Sequence, residues 1–101
     1  ITQEIPFTYS LQQNYPNPFN PSTDLGFGIS ELGFVSLKVY DVLGNETSVL
    51  VNEMSYPGTY SIEFNGNDLP SGIYFYKIIV TNLSDERKNE SSEVRKMLLV
   101  K

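Results

Sequence analysis

Apolar residues recur at every second position in several short segments of this chain of 101 residues. Such alternation is typical of strands in an antiparallel sheet that buries one face. A shift of one residue would turn each apolar set toward water, so the pattern also predicts the register of the strands. The clearest sets are Leu25, Phe27 and Ile29; Val35, Leu37 and Val39; and Tyr60, Ile62 and Phe64.

The remaining segments also favour strands and turns. Residues 46–51 predict a weaker strand, residues 73–81 form the continuous apolar run of a central strand, and residues 94–100 predict the last strand. Gly44 favours a hairpin turn after the second alternating set. Residues 82–93 are polar and predict a long loop, and no window carries the apolar spacing of a helix.

The spacing of these strands predicts the fold class. Strands that recur every 8 to 12 residues or so in a domain of this length predict an all-β fold, an immunoglobulin-like antiparallel β-sandwich of about seven strands. Tyr74 begins a late strand and follows Leu69 and Gly72. This arrangement is similar to a tyrosine corner, in which the hydroxyl binds the backbone a few residues upstream.

Composition excludes most catalytic and metal sites. The chain has no histidine and no cysteine, so it cannot form a Ser-His-Asp or Cys-His nucleophile, a zinc site with those ligands, or a disulfide. The carboxylates lie in turns or at outward strand positions, and Asn65, Asn67 and Asp68 fit turn chemistry better than a calcium loop. We therefore predict that the chain is not an enzyme and has no cofactor or metal.

The charge is unevenly distributed. A net charge of −5 disfavours nucleic acid as a partner, and no apolar run approaches the ~18 residues needed for membrane insertion. All acidic residues lie at or before Glu93, whereas Arg95, Lys96 and Lys101 follow it. On the residues alone, these cations are explained best as protection of an edge strand. The alternative is a docking tail that binds a partner through Lys96, Met97, Leu98, Leu99, Val100 and Lys101.

A proline-rich segment at residues 14–23 predicts a stiff arm. Three prolines lie within six positions around Phe19; each fixes φ and keeps its predecessor extended. Tyr15 and Phe19 are therefore expected to plug a sheet edge or an end of the sandwich. The arm can pack on its own domain, serve as a rigid joint to an upstream domain, or do both.

Four blocks together resemble a known family. They are NYPNPFNPST at residues 14–23, VSLKVYDVLGNE at 35–46, PGTYSIEFNGNDLPSGIYFYKI at 57–78 and RKMLLVK at 95–101. Their order and spacing are similar to the type A C-terminal sorting domain of substrates of the type IX (Por) secretion system of Bacteroidetes. The resemblance implies a sorting domain at residues 9–101, preceded by a linker at 1–8 from an upstream cargo domain.

The resemblance also implies a function. Such a domain is a non-catalytic signal that directs a larger secreted protein across the outer membrane and to attachment at the cell surface. The implied partners are the type IX translocon, an outer-membrane shuttle protein and a sortase-like peptidase. The implied location is the periplasm in transit, then the outer-membrane surface or the medium. Two departures are Ile29-Ser30-Glu31-Leu32, where the family has Leu-Pro, and a longer, more acidic loop before the last strand.

Individual positions match the family's motifs. Gly58 with Tyr60, and Gly72 with Tyr74, match two Gly-x-Tyr blocks implied to determine the fold. The terminal signal block of the family is matched by Lys96, Met97 and Lys101.

The last strand cannot be both fully buried and available to a receptor. We therefore expect one pair, either Met97 with Leu99 or Leu98 with Val100, to face the core. Lys96, Lys101, the other pair and the terminal carboxylate should remain exposed.

Two alternatives use the same fold. One is a binding module for carbohydrate or protein, which for carbohydrate would need an exposed aromatic row, with Tyr40, Tyr74 and Tyr76 as candidates. The other is a structural immunoglobulin-like repeat of a multidomain secreted protein, which would not need the basic, apolar end.

Overall fold

The computed structural model describes residues 8–83 and 90–101. Within these residues every regular element is a strand, and all strand pairs are antiparallel, which confirms the predicted all-β class with seven strands. No helix in this part of the chain is long and apolar enough to cross a membrane. The strands are β1 (Tyr9–Leu11), β2 (Ser22–Ile29), β3 (Gly33–Tyr40), β4 (Glu46–Ser55), β5 (Gly58–Asn65), β6 (Gly72–Asn82) and β7 (Glu90–Leu99).

The strands form two sheets that enclose one apolar core. One sheet has the order β1-β2-β5, and the other has the order β4-β3-β6-β7. The alternating sets supply the core because each places every second side chain between the sheets. The predicted sets from β2 and β3, and every second residue of the apolar run in β6, are the most deeply buried; examples are Leu25, Leu37 and Ile78, which have no solvent exposure.

The strands differ from the sequence prediction in several places. β1 was not predicted, yet Tyr9–Leu11 pairs with the last three residues of β2. β4 continues to Ser55. The predicted polar loop at 82–93 was wrong at both ends, because Asn82 completes β6 and β7 begins at Glu90; residues 84–89 lie outside the described residues.

Two Gly-x-Tyr motifs stand where the chain passes from one sheet to the other. Gly58 begins β5 and Gly72 begins β6, each at a φ of 154°, which side chains with a Cβ rarely adopt. The Tyr74 hydroxyl donates to the carbonyl of Pro70 at 2.6 Å, as the tyrosine-corner prediction requires. Tyr60 donates in the same way to a carbonyl four residues upstream, also at 2.6 Å.

The segment between β1 and β2, residues 12–21, is called the proline arm below. Its Phe19 is buried and meets Phe64 edge-on, with ring centroids 6.1 Å apart, so the predicted plug is present. The same expectation was wrong for Tyr15, whose side chain is 81% exposed. Tyr15 instead contributes its backbone, through two hydrogen bonds to Asp24.

Candidate recognition surface on the closing strand

The end of β7 alternates between core and surface. Met97 and Leu99 are buried, whereas Leu98 and Val100 are 37% and 48% exposed. This confirms that half of the strand packs inward and identifies which half. Lys96 and Lys101 are also exposed, as expected. Met97 and Leu99 therefore cannot offer their side chains to a partner while the domain is folded.

Pairing with β6 decides which residues are buried. Met97 lies opposite Tyr74, and Leu99 lies opposite Gly72, at the point where β6 begins. Leu99 also packs against Gly66, where a Cβ would lie only 2.9 Å from Cδ2 of the leucine. A glycine at residue 66 therefore makes the space that the last buried side chain needs.

The other edge of β7 is covered by the proline arm. Leu98 N–H donates to Asn17 Oδ1 at 3.0 Å, and Leu98 C=O accepts from Phe19 N–H at 2.9 Å. Val100 N–H then donates to Phe19 C=O at 3.0 Å, and Gln13 Nε2 donates to Lys96 C=O at 2.8 Å. Since its own arm occupies these backbone groups, the edge is closed to an added strand from a partner between Lys96 and Val100.

The three cations near the end of β7 have different surroundings. Arg95 pairs with Glu93 at 3.0 Å and donates from Nε to Leu11 C=O at 2.6 Å. Lys101 donates from Nζ to Asn67 C=O and from its backbone to Ser71. Lys96 forms no ion pair with any residue in 8–83 or 90–101, so it presents a free positive charge.

Tyr76 fixes the start of the arm to the four-stranded sheet. Its buried hydroxyl donates to Gln12 C=O at 2.7 Å and accepts from Asn14 N–H at 2.8 Å. Burial raises the pKa of Tyr76 above its ordinary value of 10.0, and the hydrogen bond from Asn14 opposes that rise. The Asn14 amide, itself buried, donates to Thr23 Oγ1 at 3.0 Å. These buried polar groups satisfy one another and give the arm one position.

A comparison of the sequence with protein families gives the family of this chain. The family model described as "Secretion system C-terminal sorting domain" matches residues 13–96. This chain belongs to that family. The match begins in the proline arm and ends inside β7, so residues 97–101 lie beyond it. Membership implies a larger cargo polypeptide that the type IX system exports, hence a secreted or outer-membrane surface protein.

A solved structure supports the fold of the sorting domain. The chain is similar to "dimeric latent PorU from Porphyromonas gingivalis", with a TM-score of 0.71 and 17% identity. The similarity covers 99% of this chain and 10% of the PorU chain. At this identity the likeness shows the fold alone. No curated protein matches the chain.

Tyr40, Tyr74 and Tyr76 do not form the exposed aromatic row that a carbohydrate-binding module would need. Tyr76 is fully buried and Tyr74 is 5% exposed, because both point between the sheets. Only Tyr40 among the three candidates lies on the outer side of its sheet. That expectation was wrong because residues 73–81 alternate about the core and do not present one aromatic face.

The described residues contain no cluster of acidic side chains that could hold a metal ion. At the turn after β5, Asn65 Oδ1 accepts the N–H of Asn67 at 2.8 Å. The asparagine that was weighed as a calcium ligand therefore serves the turn.

Sequence reasoning missed the residues that hold the end of β7 in place. Gln13 and Asn17 bind the edge of β7, Gly66 makes room for Leu99, and Ser71 accepts the N–H of Lys101. The proline spacing was the available signal, since a stiff arm with one apolar plug must lie against something. It could not specify which strand the arm would cover.

Proposed function

We propose that this domain is a non-catalytic sorting signal, displayed by a folded sandwich and bound through the exposed half of its closing strand. The partner-binding side chains are Lys96, Leu98, Val100 and Lys101, with Met97 and Leu99 as the buried support. The observation that carries the proposal is that buried and exposed side chains alternate from Lys96 to Val100. The exposed side of the strand therefore presents the apolar side chains of Leu98 and Val100 and the cation of Lys96, which is unpaired within the described residues.

The proposal includes the later steps of export. The type IX translocon and an outer-membrane shuttle protein bind the domain after transit through the periplasm. A sortase-like peptidase then removes it from the upstream cargo, to which residues 1–8 are the linker, and the cargo is attached to the cell surface. Family membership and the self-contained core support this order, because a signal with its own core can fold whatever cargo precedes it.

The test should not delete the terminal segment, because deletion would also remove Met97 and Leu99 from the core. Instead, the chain is fused to a fluorescent reporter in a bacterium that has the type IX apparatus. The double variant Leu98→Ser/Val100→Ser and the single variant Lys96→Gln change only exposed side chains. We expect secretion to fall sharply for the double variant and partly for Lys96→Gln, because the apolar and charged contacts with the receptor are lost.

The matched control is Thr59→Ala/Ser61→Ala, two exposed positions on β5 in the other sheet. It should be secreted like the unchanged chain. Urea denaturation of each purified variant shows whether folding is retained. Normal secretion of a folded Leu98→Ser/Val100→Ser variant would remove the closing strand from the recognition surface.

A further inference from the structure

The outer side of the four-stranded sheet carries a basic face, defined here by Lys38, Lys77 and Lys96. Lys38 on β3 lies directly opposite Lys77 on β6. Lys77 lies opposite Val94 on β7, so Lys96, two residues further on, is its diagonal neighbour. Three lysines from three adjacent strands therefore form one cluster on a domain whose net charge is −5.

This cluster carries uncompensated charge. Like charges directly opposite each other in a sheet destabilise it, yet Lys38 and Lys77 are such a pair. The only ion pair of this cluster among the described residues joins Lys38 to Glu46 at 3.0 Å, and that contact raises the pKa of Lys38. The carboxylate of Asp41, at the nearby turn, already accepts the N–H groups of Leu43 and Asn45.

Apolar side chains surround the cations on the same face. Phe75 lies between Tyr40 and Lys96 in one row across the sheet, and Ile73 lies opposite Leu98 in the next. Tyr40, Phe75, Lys77 and Val94 line a shallow hollow of about 350 Å³, together with Asp41 and its turn. The exposed apolar residues on and beside this face include Val42, Val49, Ile73, Val94 and Leu98.

The opposite face of the domain differs in character. Asp24 on β2 lies directly opposite Glu63 on β5, and both are exposed. Their neighbours on that side are small or polar, such as Gly26 and Ser61. A second copy of this chain could therefore supply carboxylates but not the apolar contacts that the basic face needs.

We propose that the basic face docks an acidic, partly apolar segment of a partner protein. An extended polypeptide that alternates carboxylates with aliphatic side chains can place charges on Lys77 and Lys96 and apolar groups against Phe75 and Val94. Nucleic acid fits less well, because its phosphates offer no aliphatic contact and are repelled by the net negative charge. The proposal extends the proposed function, since Lys96 and Leu98 belong to both surfaces.

The test uses the whole chain, labelled with ¹⁵N, and a decapeptide of alternating Glu and Val as the probe. We expect the peptide to shift amide signals of β6 and β7 around Phe75, Lys77 and Val94, with an affinity that weakens as salt is added. Each of Lys77→Gln and Lys96→Gln should weaken binding about two- to fivefold, as expected for a charge pair near the surface. Thr59→Ala/Ser61→Ala, which changes two exposed side chains on β5 of the other sheet, should leave binding unchanged.

Lys77→Gln has a second readout that a merely structural lysine would not give. Because it removes one of two like charges placed opposite each other, its urea midpoint should rise at low salt while its peptide binding falls. A fall in that midpoint would overturn the argument from uncompensated charge.

Several other results would overturn the proposal. Equal binding of a Lys/Val decapeptide, or tighter binding of oligothymidylate or of phosphatidylglycerol vesicles, would contradict the choice of an acidic peptide. Amide shifts confined to β2 and β5, or dimerisation of the chain through this face, would contradict the choice of surface. The absence of any shift at roughly 5 mM peptide would contradict binding itself. The export reporter distinguishes this inference from the proposed function. Normal export of Lys77→Gln together with lost peptide binding would retain the sorting role and separate the basic face from it.

Discussion

At the scale of single residues, two tyrosine hydroxyls brace the points where the chain changes sheets. Tyr74 and Tyr60 each reach back to a carbonyl four residues upstream, and each follows a glycine in a conformation that other residues rarely adopt. Tyr60 also stacks on Phe27, with ring centroids 5.0 Å apart. Tyr74 is the more buried of the two, so its hydrogen bond is better protected from water.

Tyr74→Phe should lower the free energy of unfolding by about 1 kcal/mol, the usual worth of one hydrogen bond. Tyr60→Phe should cost less, because the hydrogen bond of Tyr74 is partly buried whereas that of Tyr60 is exposed. Urea denaturation of both variants measures the difference. A larger loss for Tyr60→Phe would contradict the assignment of Tyr74 as the principal brace.

Gly72→Ala should destabilise the domain by about 1 to 3 kcal/mol, because its φ of 154° lies in a region that is strained for residues with a Cβ. No atom crowds the position, so the cost would come from the backbone alone. The measurement is the thermal or urea midpoint, with Thr59→Ala as the control at an exposed strand position. A loss no greater than that of the control would show that residue 72 tolerates a side chain.

At the scale of elements, the sequence predicted some strands and missed others. Alternation predicted β2, β3 and β5 because most of their inward residues are apolar and most of their outward residues are polar or glycine. It missed β1, which is too short to show a period, and the start of β7, where Glu90–Glu93 is polar at every position. It predicted that half of the closing strand would be buried but not which half, because Met97, Leu98, Leu99 and Val100 are all apolar.

Asn17→Ala should loosen the closing strand without unfolding the domain. It removes the acceptor of Leu98 N–H, at an expected cost of about 0.5 to 1.5 kcal/mol, and should speed hydrogen exchange of the Leu98 amide. Tyr15→Ala, a change at an exposed side chain of the same arm, is the control and should alter stability by less than about 0.5 kcal/mol. Unchanged exchange at Leu98 would mean that the arm does not hold this edge.

The β3–β4 hairpin should weaken in acid. Asp41 accepts the backbone N–H of Asn45, which holds the pKa of Asp41 below its ordinary value of 3.8, and the N–H of Leu43 adds to the effect. A lowered pKa stabilises the fold at pH values above the ordinary one, and that contribution is lost as pH falls through the folded value. Urea midpoints measured from about pH 5 to about pH 2 should therefore fall less steeply in Asp41→Asn.

The control for the hairpin prediction is Asp68→Asn, which removes the same charge from another turn without these hydrogen bonds. If Asp41→Asn and Asp68→Asn have the same acid profile, the hairpin is not the acid-sensitive element.

At the scale of the whole molecule, the sheets are joined by more than apolar contact. Tyr76 belongs to the four-stranded sheet, whereas Gln12 and Asn14 continue from β1 of the other sheet. The sequence predicted the sandwich correctly because the alternating sets require two faces to meet. It could not predict this bond, since nothing in local spacing relates residue 76 to residues 12 and 14.

Tyr76→Phe should cost about 1 to 3 kcal/mol, because it leaves the N–H of Asn14 and the C=O of Gln12 without their partner in a buried place. Tyr40→Phe, on the outer side of the neighbouring strand, should change stability by less than about 0.5 kcal/mol. Equal unfolding free energies for the two variants would show that the link between the sheets is apolar only.

The grip of the proline arm on β7 sets an order of events in time. The bonding groups are separated by 79 to 83 positions along the chain, so they can meet only when both ends of this span have been synthesised and brought together. A polypeptide whose synthesis stops short of Lys96 has nothing for Gln13, Asn17 and Phe19 to hold. A receptor that binds the finished edge would therefore select chains in which β7 is present and the domain has folded, so that recognition would also report correct folding.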